Sequence, residues 1–335
     1  MNIQFRASWK CLAGVFSGLL LATSAQAQTA CVFDFMGSQG ETYAMARDFT
    51  LEARRAGINM TLKPYMSEAV AYEDFKAGQC DAVMMTNLRA RQLNKFVGSV
   101  DAIGAVRTGE ELRAVIELLM SPKSSKRMVS GPYEVVGIIP LGPVYPFVND
   151  RRINTLAKAA GKRIAVFDWD KTQASLVQKI GAQPVSADII TFAGKFNNNQ
   201  VDIIASPALA FRPLELQRGL GTSGAIVNMP FMQITAVVLI RHERFQPGDG
   251  QKLRNIAAKR IDPAFALIKR SEDDIPAQYW SQVPQVEKAG YFRMMREARV
   301  QLTKDGEYDP DMMHFLKRVR CRYSPEDAEC ILDEE

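Results

Sequence analysis

Phe75-Lys76-Ala77-Gly78-Gln79-Cys80-Asp81-Ala82-Val83 and Phe196-Asn197-Asn198-Asn199-Gln200-Val201-Asp202-Ile203-Ile204 are two copies of one pattern, 121 positions apart. Both end a helix, turn, and enter an apolar run of strand length. The correspondence continues downstream: Leu88, Arg91, Leu93 and Gly98 match Leu209, Arg212, Leu214 and Gly219. Upstream, Val32-Phe33-Asp34-Phe35 returns as Val166-Phe167-Asp168-Trp169. Copies in the same order imply two similar units, each running strand, helix, strand, helix, strand. Strands alternating with helices of this length form parallel sheets. Two such lobes imply a cleft between them, where ligands bind.

Local signals place the elements. Tyr43, Ala46, Phe49 and Ala53 recur at helical spacing over 41–56, and Gly57 supplies the C-terminal stop. Ser67 caps a helix to Gly78, and Asp309-Pro310 opens a last helix ending near Cys321. Residues 87–98 and 110–120 are predicted helical, and the basic stretch 121–132 reads as an exposed loop. The apolar run 133–148, interrupted by Pro140, Gly142, Pro143 and Pro146, is the first crossing between lobes, and 229–241 is the return strand. Lobe I is therefore expected over 28–138 and 236–335, and lobe II over 139–235.

Residues 1–27 read as a signal peptide. Arg6 and Lys10 are basic, Cys11 to Leu21 is an apolar stretch, and Ala25-Gln26-Ala27 is a cleavage site. The run is shorter than the ~20 residues a spanning helix needs, and Cys31 lacks the leucine of a lipoprotein signal. The expected product is exported and periplasmic, starting near Gln28, without membrane insertion. It keeps 40 basic against 37 acidic residues, a balance that argues against nucleic-acid binding. Of the four remaining cysteines, Cys321 and Cys330 close a short loop. Cys31 and Cys80 start repeated strands that meet if the strands are neighbours in a parallel sheet. A zinc site is disfavoured by the lack of a C-x-x-C and by having only His242 and His314. No metal or cofactor is expected.

Ligands of parallel α/β sheets gather beyond the carboxyl ends of the strands. That rule nominates Asp34, Thr86, Asn87, Arg89 and Arg91 on one side, and Asp168, Trp169, Asp170, Ser206, Pro207 and Arg212 on the other, with Tyr145 from the crossing strand. Arginines offer a planar fork for carboxylate or phosphate, and Trp169 and Tyr145 can cover a ring or an apolar body. Each has a structural alternative: Asp34 and Asp168 as helix caps, Arg91 and Arg212 as surface ion pairs. Asp81 and Asp202 come early in their strands, away from the cleft. Gly219-Leu220-Gly221-Thr222-Ser223-Gly224 spells a dinucleotide fingerprint but follows a helix and precedes a strand, so it reads as a turn. Neither histidine has a nucleophile in a triad setting, and an enzyme is not expected.

One combination is more specific. Cys31-Val32-Phe33-Asp34, Asp74 through Val83, Met85-Thr86 with Arg89-Ala90-Arg91, Pro213-Leu214-Glu215 and Tyr308-Asp309-Pro310 with Met312-Met313 resemble the AdeT-like family of solute-binding proteins along the mature chain. Members carry the label of an RND-type efflux pump, which implies a multi-spanning protein that this sequence does not encode. More distantly, the chain is similar to the DctP-like receptors of TRAP transporters. That similarity implies the type II periplasmic-binding fold, an α/β architecture of two pseudo-repeated lobes joined by crossover strands. It also implies an arginine clamp for a ligand carboxylate after a G-x-K-x-R pattern. Here Gly161-Lys162-Arg163-Ile164-Ala165 puts Ala165 at the clamp. The expected function is a receptor capturing a small polar or anionic solute for a TRAP-like membrane transporter. The alternative is an envelope accessory protein of an RND efflux system, without a true ligand.

Overall fold

The computed structural model describes Met1 and residues 27–335; the basic start and apolar stretch read as a signal peptide lie outside the described residues. The repeated sequence becomes two strand–helix units in one sheet. The first unit is β1 (Gln28–Phe33), α1 (Glu41–Arg55), β2 (Met60–Tyr65), α2 (Glu68–Lys76) and β3 (Ala82–Thr86), followed by α3 (Asn87–Ala90), α4 (Lys95–Gly98) and α5 (Gly109–Met120). A two-residue strand β4 (Val129–Ser130) leads into the 16-residue β5 (Tyr133–Val148). The second unit is α6 (Leu156–Ala159), β6 (Arg163–Phe167), α7 (Lys171–Lys179), β7 (Gln183–Ala187), α8 (Thr191–Asn197) and β8 (Ile203–Pro207). After α9 (Gln217–Leu220) and β9 (Ala225–Val227), β10 (Met232–Arg241) returns the chain. It ends with α10 (Asp249–Ala258), α11 (Ile261–Asp273), β11 (Trp280–Ser281), α12 (Gln285–Lys304) and α13 (Pro310–Tyr323).

The sheet order β2-β1-β3-β10-β5-β8-β6-β7 shows the duplication directly. β1 pairs in parallel with β2 and β3, and β6 pairs in parallel with β7 and β8. The antiparallel strands β5 and β10 sit between these triplets and join them. β5 pairs with β10 over 133–144 and with β8 over 144–148. Most of it therefore has a ladder on one side only, and its prolines interrupt little hydrogen bonding.

The repeated residues do the same work twice. The Asp81 carboxylate accepts the Thr29 backbone N–H at 2.9 Å, and the Asp202 carboxylate accepts that of Arg163 at 2.9 Å. Each closes the first rung between two strands of its unit. Phe75 and Phe196 are fully buried. At Gly219 a Cβ would collide with the Phe196 ring, and at Gly98 with the backbone of Arg91, so the glycines permit close approach.

Two local expectations need correction. The helix predicted over 87–98 is broken, because Asn94 accepts the Val97 N–H at 2.9 Å and starts a second short helix. Residues 121–132 are not a free loop: Pro122–Met128 winds into a tight helix, β4 pairs with β5, and Met128 is fully buried. The G-x-G-x-x-G run is a turn between α9 and β9, with Gly221 at φ +53°.

Candidate functional site

The carboxyl ends of β1, β3, β6 and β8 open onto one cavity of about 300 Å³. Asp34, Thr86, Phe167 and Pro207, the residues ending or following those strands, all line it. The repeat partners Leu88 and Leu209 face it from opposite units, and Leu141, Val144 and Phe231 come from the crossing region. The lining is predominantly apolar, with few polar groups, as small-molecule sites are.

The charged groups at the wall are held by the protein. Asp34 is buried at the foot of α1, where its carboxylate accepts the N–H groups of Met36 (2.8 Å) and Tyr43 (3.1 Å). Gly40 precedes the helix there because the Asp34 carboxylate occupies the space a Cβ would need. Thr86 caps α3 through the Arg89 N–H, and its own N–H donates to Glu68 at 2.8 Å. Arg91 reaches across the cleft to Asp170, Nη2 to Oδ2 3.3 Å, with Tyr308 under its guanidinium. Asp170 is also the N-cap of α7, accepting from Thr172 and Gln173. Trp169 stacks on Phe167, and its ring centroid lies 4.3 Å from the Arg89 guanidinium, which is itself bonded to Glu68.

Of the residues nominated from the sequence, Asp34, Thr86, Arg91, Asp170 and Pro207 line the cavity. Asn87 stands behind the wall, donating to Val97 O and to Asp101. Trp169 does not line the cavity but packs beside Leu88, Val144 and Ile234, which do. Ser206 is buried with its hydroxyl on Pro207 O, and Asp168 is exposed. Tyr145 donates to Glu272 at 2.8 Å and packs edge-on against Trp280. Arg212 points to solvent beside Asp274. Sequence reading passed over Asp101, Thr172 and Tyr308, all of which line the cavity. Asp170 also carried a local signal: Asp-x-Thr at the start of a helical run is an N-cap pattern.

The profile of the family described as "Solute-binding protein AdeT 1/2" matches residues 50–335. The chain belongs to that family. It is 49% identical to "Probable solute-binding protein AdeT1" of Acinetobacter baumannii, over 91% of this chain and 100% of that protein. It is 30% identical to "Probable solute-binding protein AdeT2" of the same organism, over 70% of this chain and 98% of that one. Among solved structures, a TRAP periplasmic solute-binding protein from Desulfovibrio salexigens with bound orotic acid aligns at TM-score 0.74 and 12% identity, covering 88% of this chain and 98% of that one. Another, from Xanthobacter autotrophicus with bound β-D-galacturonate, aligns at TM-score 0.70 and 13% identity, covering 88% and 99%. This likeness shows the fold, which is the type II periplasmic-binding architecture expected from the sequence.

Two positions read from the sequence take their place in the structure. Ala165, at the clamp position, lines the cavity with a methyl group. Both expected disulfides are present: Cys31–Cys80 with Cα atoms 5.9 Å apart, and Cys321–Cys330 at 5.6 Å. Among the described residues, no helix is long and apolar enough to cross a membrane.

Asp101 makes the cavity wall sensitive to pH. Burial pushes its carboxyl up to about 7, against hydrogen bonds from Thr235 and Asn87 that favour the anion. Between the ordinary value of 3.8 and about 7 the folded state keeps a proton that the unfolded chain has lost. The group's contribution to stability therefore falls as pH rises through that window. Asp101→Asn should remove this slope, so that the wild type loses ground to the variant from low to neutral pH. Urea midpoints of both proteins across the window check it, and parallel curves would refute it.

Proposed function

We propose that this protein is an exported receptor that captures a small solute between its two lobes and delivers it to a TRAP-like membrane transporter, without covalent chemistry. The observation that carries this reading is the cavity at the carboxyl ends of four strands, walled by both copies of the repeat. Lobe I comprises 28–138 and 236–335, lobe II comprises 139–235, and β5 and β10 form the hinge between them. Cleavage near Ala27 releases the receptor into the periplasm. The TRAP receptors it resembles in fold were solved with orotic acid, β-D-galacturonate or malonate bound, which supports a metabolite-sized ligand. A formed cavity of this size supports a receptor over an efflux accessory with a vestigial cleft.

A thermal-shift screen of the mature chain, refolded free of carried-over ligand, tests the reading. The panel spans organic acids, sugars, polyamines, alcohols and aminoglycosides. A solute at 100 times its dissociation constant should add about 2.7 kcal/mol, or several degrees at roughly 2–4 °C per kcal/mol. A flat panel, together with capture of an envelope protein without added solute, would move the assignment to the accessory.

A further inference from the structure

The receptor reading leaves open what kind of solute the cavity accepts, and its charges constrain the answer. Arg91 is the one cationic side chain among the residues that line it, against Asp34, Asp101 and Asp170. That single guanidinium is already bound to the Asp170 carboxylate at 3.3 Å, with both side chains almost fully buried. Asp170 thus stands where an anionic ligand would have to go. It is fixed there by the N–H groups of Thr172 (3.1 Å) and Gln173 (3.4 Å). A ligand carboxylate would either displace it or lie beside a surplus of negative charge, with no guanidinium free to compensate its lost hydration.

A cationic ligand would meet carboxylates that are already engaged. Each Asp34 oxygen accepts one backbone N–H, from Met36 and from Tyr43, and the Asp101 carboxyl accepts from Thr235 N–H, Thr235 Oγ1 and Asn87 Nδ2. The wall also has a direction. Along α7 the cavity is lined successively by Thr172, Gln173, Leu176, Val177 and Ile180. The eight steps from Thr172 to Ile180 rise about 12 Å, so this wall is polar at the cleft and apolar for the rest of its length. Ile164 and Val166 on β6 and Ile203 on β8 line the same cavity.

Resting on the receptor reading, we propose that the solute is uncharged and elongated, an apolar chain that lies along α7 and ends in a hydroxyl or carbonyl at the Arg91–Asp170 pair. Thr172 and Gln173 frame that end, and the pair offers both donor and acceptor atoms to an uncharged head. The carboxylates named in the related structures would find alanine at the clamp position and the guanidinium of Arg91 already neutralised.

Isothermal titration of the mature protein with decanol, decanoate and decylamine near neutral pH tests the assignment. Decanol should bind at least about tenfold more tightly than either charged analogue, a factor worth 1.4 kcal/mol. Asp170→Asn keeps a capping side chain for α7 but removes the countercharge of Arg91. It should raise the ratio of decanoate to decanol affinity by about tenfold or more. Val177→Trp, which fills the apolar end, should weaken decanol by about tenfold or more while sparing the shorter hexanol. Decanoate or decylamine matching decanol in the wild type would overturn the proposal, as would an Asp170→Asn protein with unchanged preference or a Val177→Trp protein with unchanged decanol affinity. A protein that answers to organic acids but not to decanol overturns this assignment and leaves the receptor standing. Silence across these probes and the whole solute panel overturns both.

Discussion

Glu329→Ala is expected to cost about 3–5 kcal/mol of folding stability. Its carboxylate is the centre of a buried cage: Oε1 takes Arg107 Nη2 at 3.0 Å and Arg320 Nε at 2.5 Å, and Oε2 takes Arg299 Nη2 at 2.9 Å. Arg299 and Arg320 are each only 1% exposed. Glu335 bonds both of them from the other side, while Asp327 pairs with Arg107. Removing one acceptor from such a cage leaves guanidinium charge uncompensated, and water cannot reach it. The remaining bonds, Arg299 to Ile103 O at 3.1 Å and Arg320 to Ala105 O at 2.7 Å, tie the cage to the segment that follows Asp101. Damage here should therefore reach the cavity wall. At roughly 2–4 °C per kcal/mol, the melting temperature should fall by about 10 °C. A loss below about 1 kcal/mol in urea unfolding, the range of an exposed pair, would show that the cage carries no net stability.

The same cage sets an acid limit. Burial by itself would raise the Glu329 carboxyl, but Arg320, Arg299 and Arg107 outweigh it and hold the group below its ordinary value. Its contribution is then fully present above the ordinary carboxylate range and is lost as pH falls through the depressed folded value. This is opposite in sign to Asp101, whose contribution fades as pH rises. Glu329→Gln should accordingly flatten the acid limb of the stability curve and leave the Asp101 slope intact.

Replacing Cys31 and Cys80 together by alanine is expected to cost about 4 kcal/mol from loop closure alone. The bridge spans 49 residues, joins β1 to the start of β3, and both cysteines are fully buried in the main core. Cys321–Cys330 spans only 9 residues, so the same entropy argument gives a smaller loss, about 2.7 kcal/mol. The ordering is the sharper test. If unfolding of the two double variants showed the short bridge costing as much as the long one, loop entropy would not be what the long bridge supplies. Both variants should still bind the solute when folded, because none of the four cysteines lines the cavity.

Much of the architecture was legible without coordinates. The matching Phe-…-Asp runs predicted two units, and the fold answers with parallel triplets β2-β1-β3 and β7-β6-β8. Gly57, Ser67 and Asp309-Pro310 predicted helix ends where the chain does end or begin a helix. These signals are local: a cap, a glycine at positive φ or an apolar period acts on residues within one or two turns, so the sequence carries the whole cause. The break at Asn94 is equally local and was readable as a cap.

The site was legible only as a neighbourhood. The rule that ligands gather at strand ends found Asp34, Thr86 and Arg91, yet it could not say what those groups were bonded to. The repeat even misleads here. Arg91 and Arg212 occupy matching positions, but one is buried against Asp170, 79 residues away, and the other sits in solvent beside Asp274. A carboxylate's partner depends on which units meet and at what angle, a property of packing between segments distant in the chain. The sequence by itself determined the two units, their caps and their cysteines. Only the tertiary structure decided that the cavity's single arginine is already neutralised, because burying that charge required a partner and the opposing lobe supplied it.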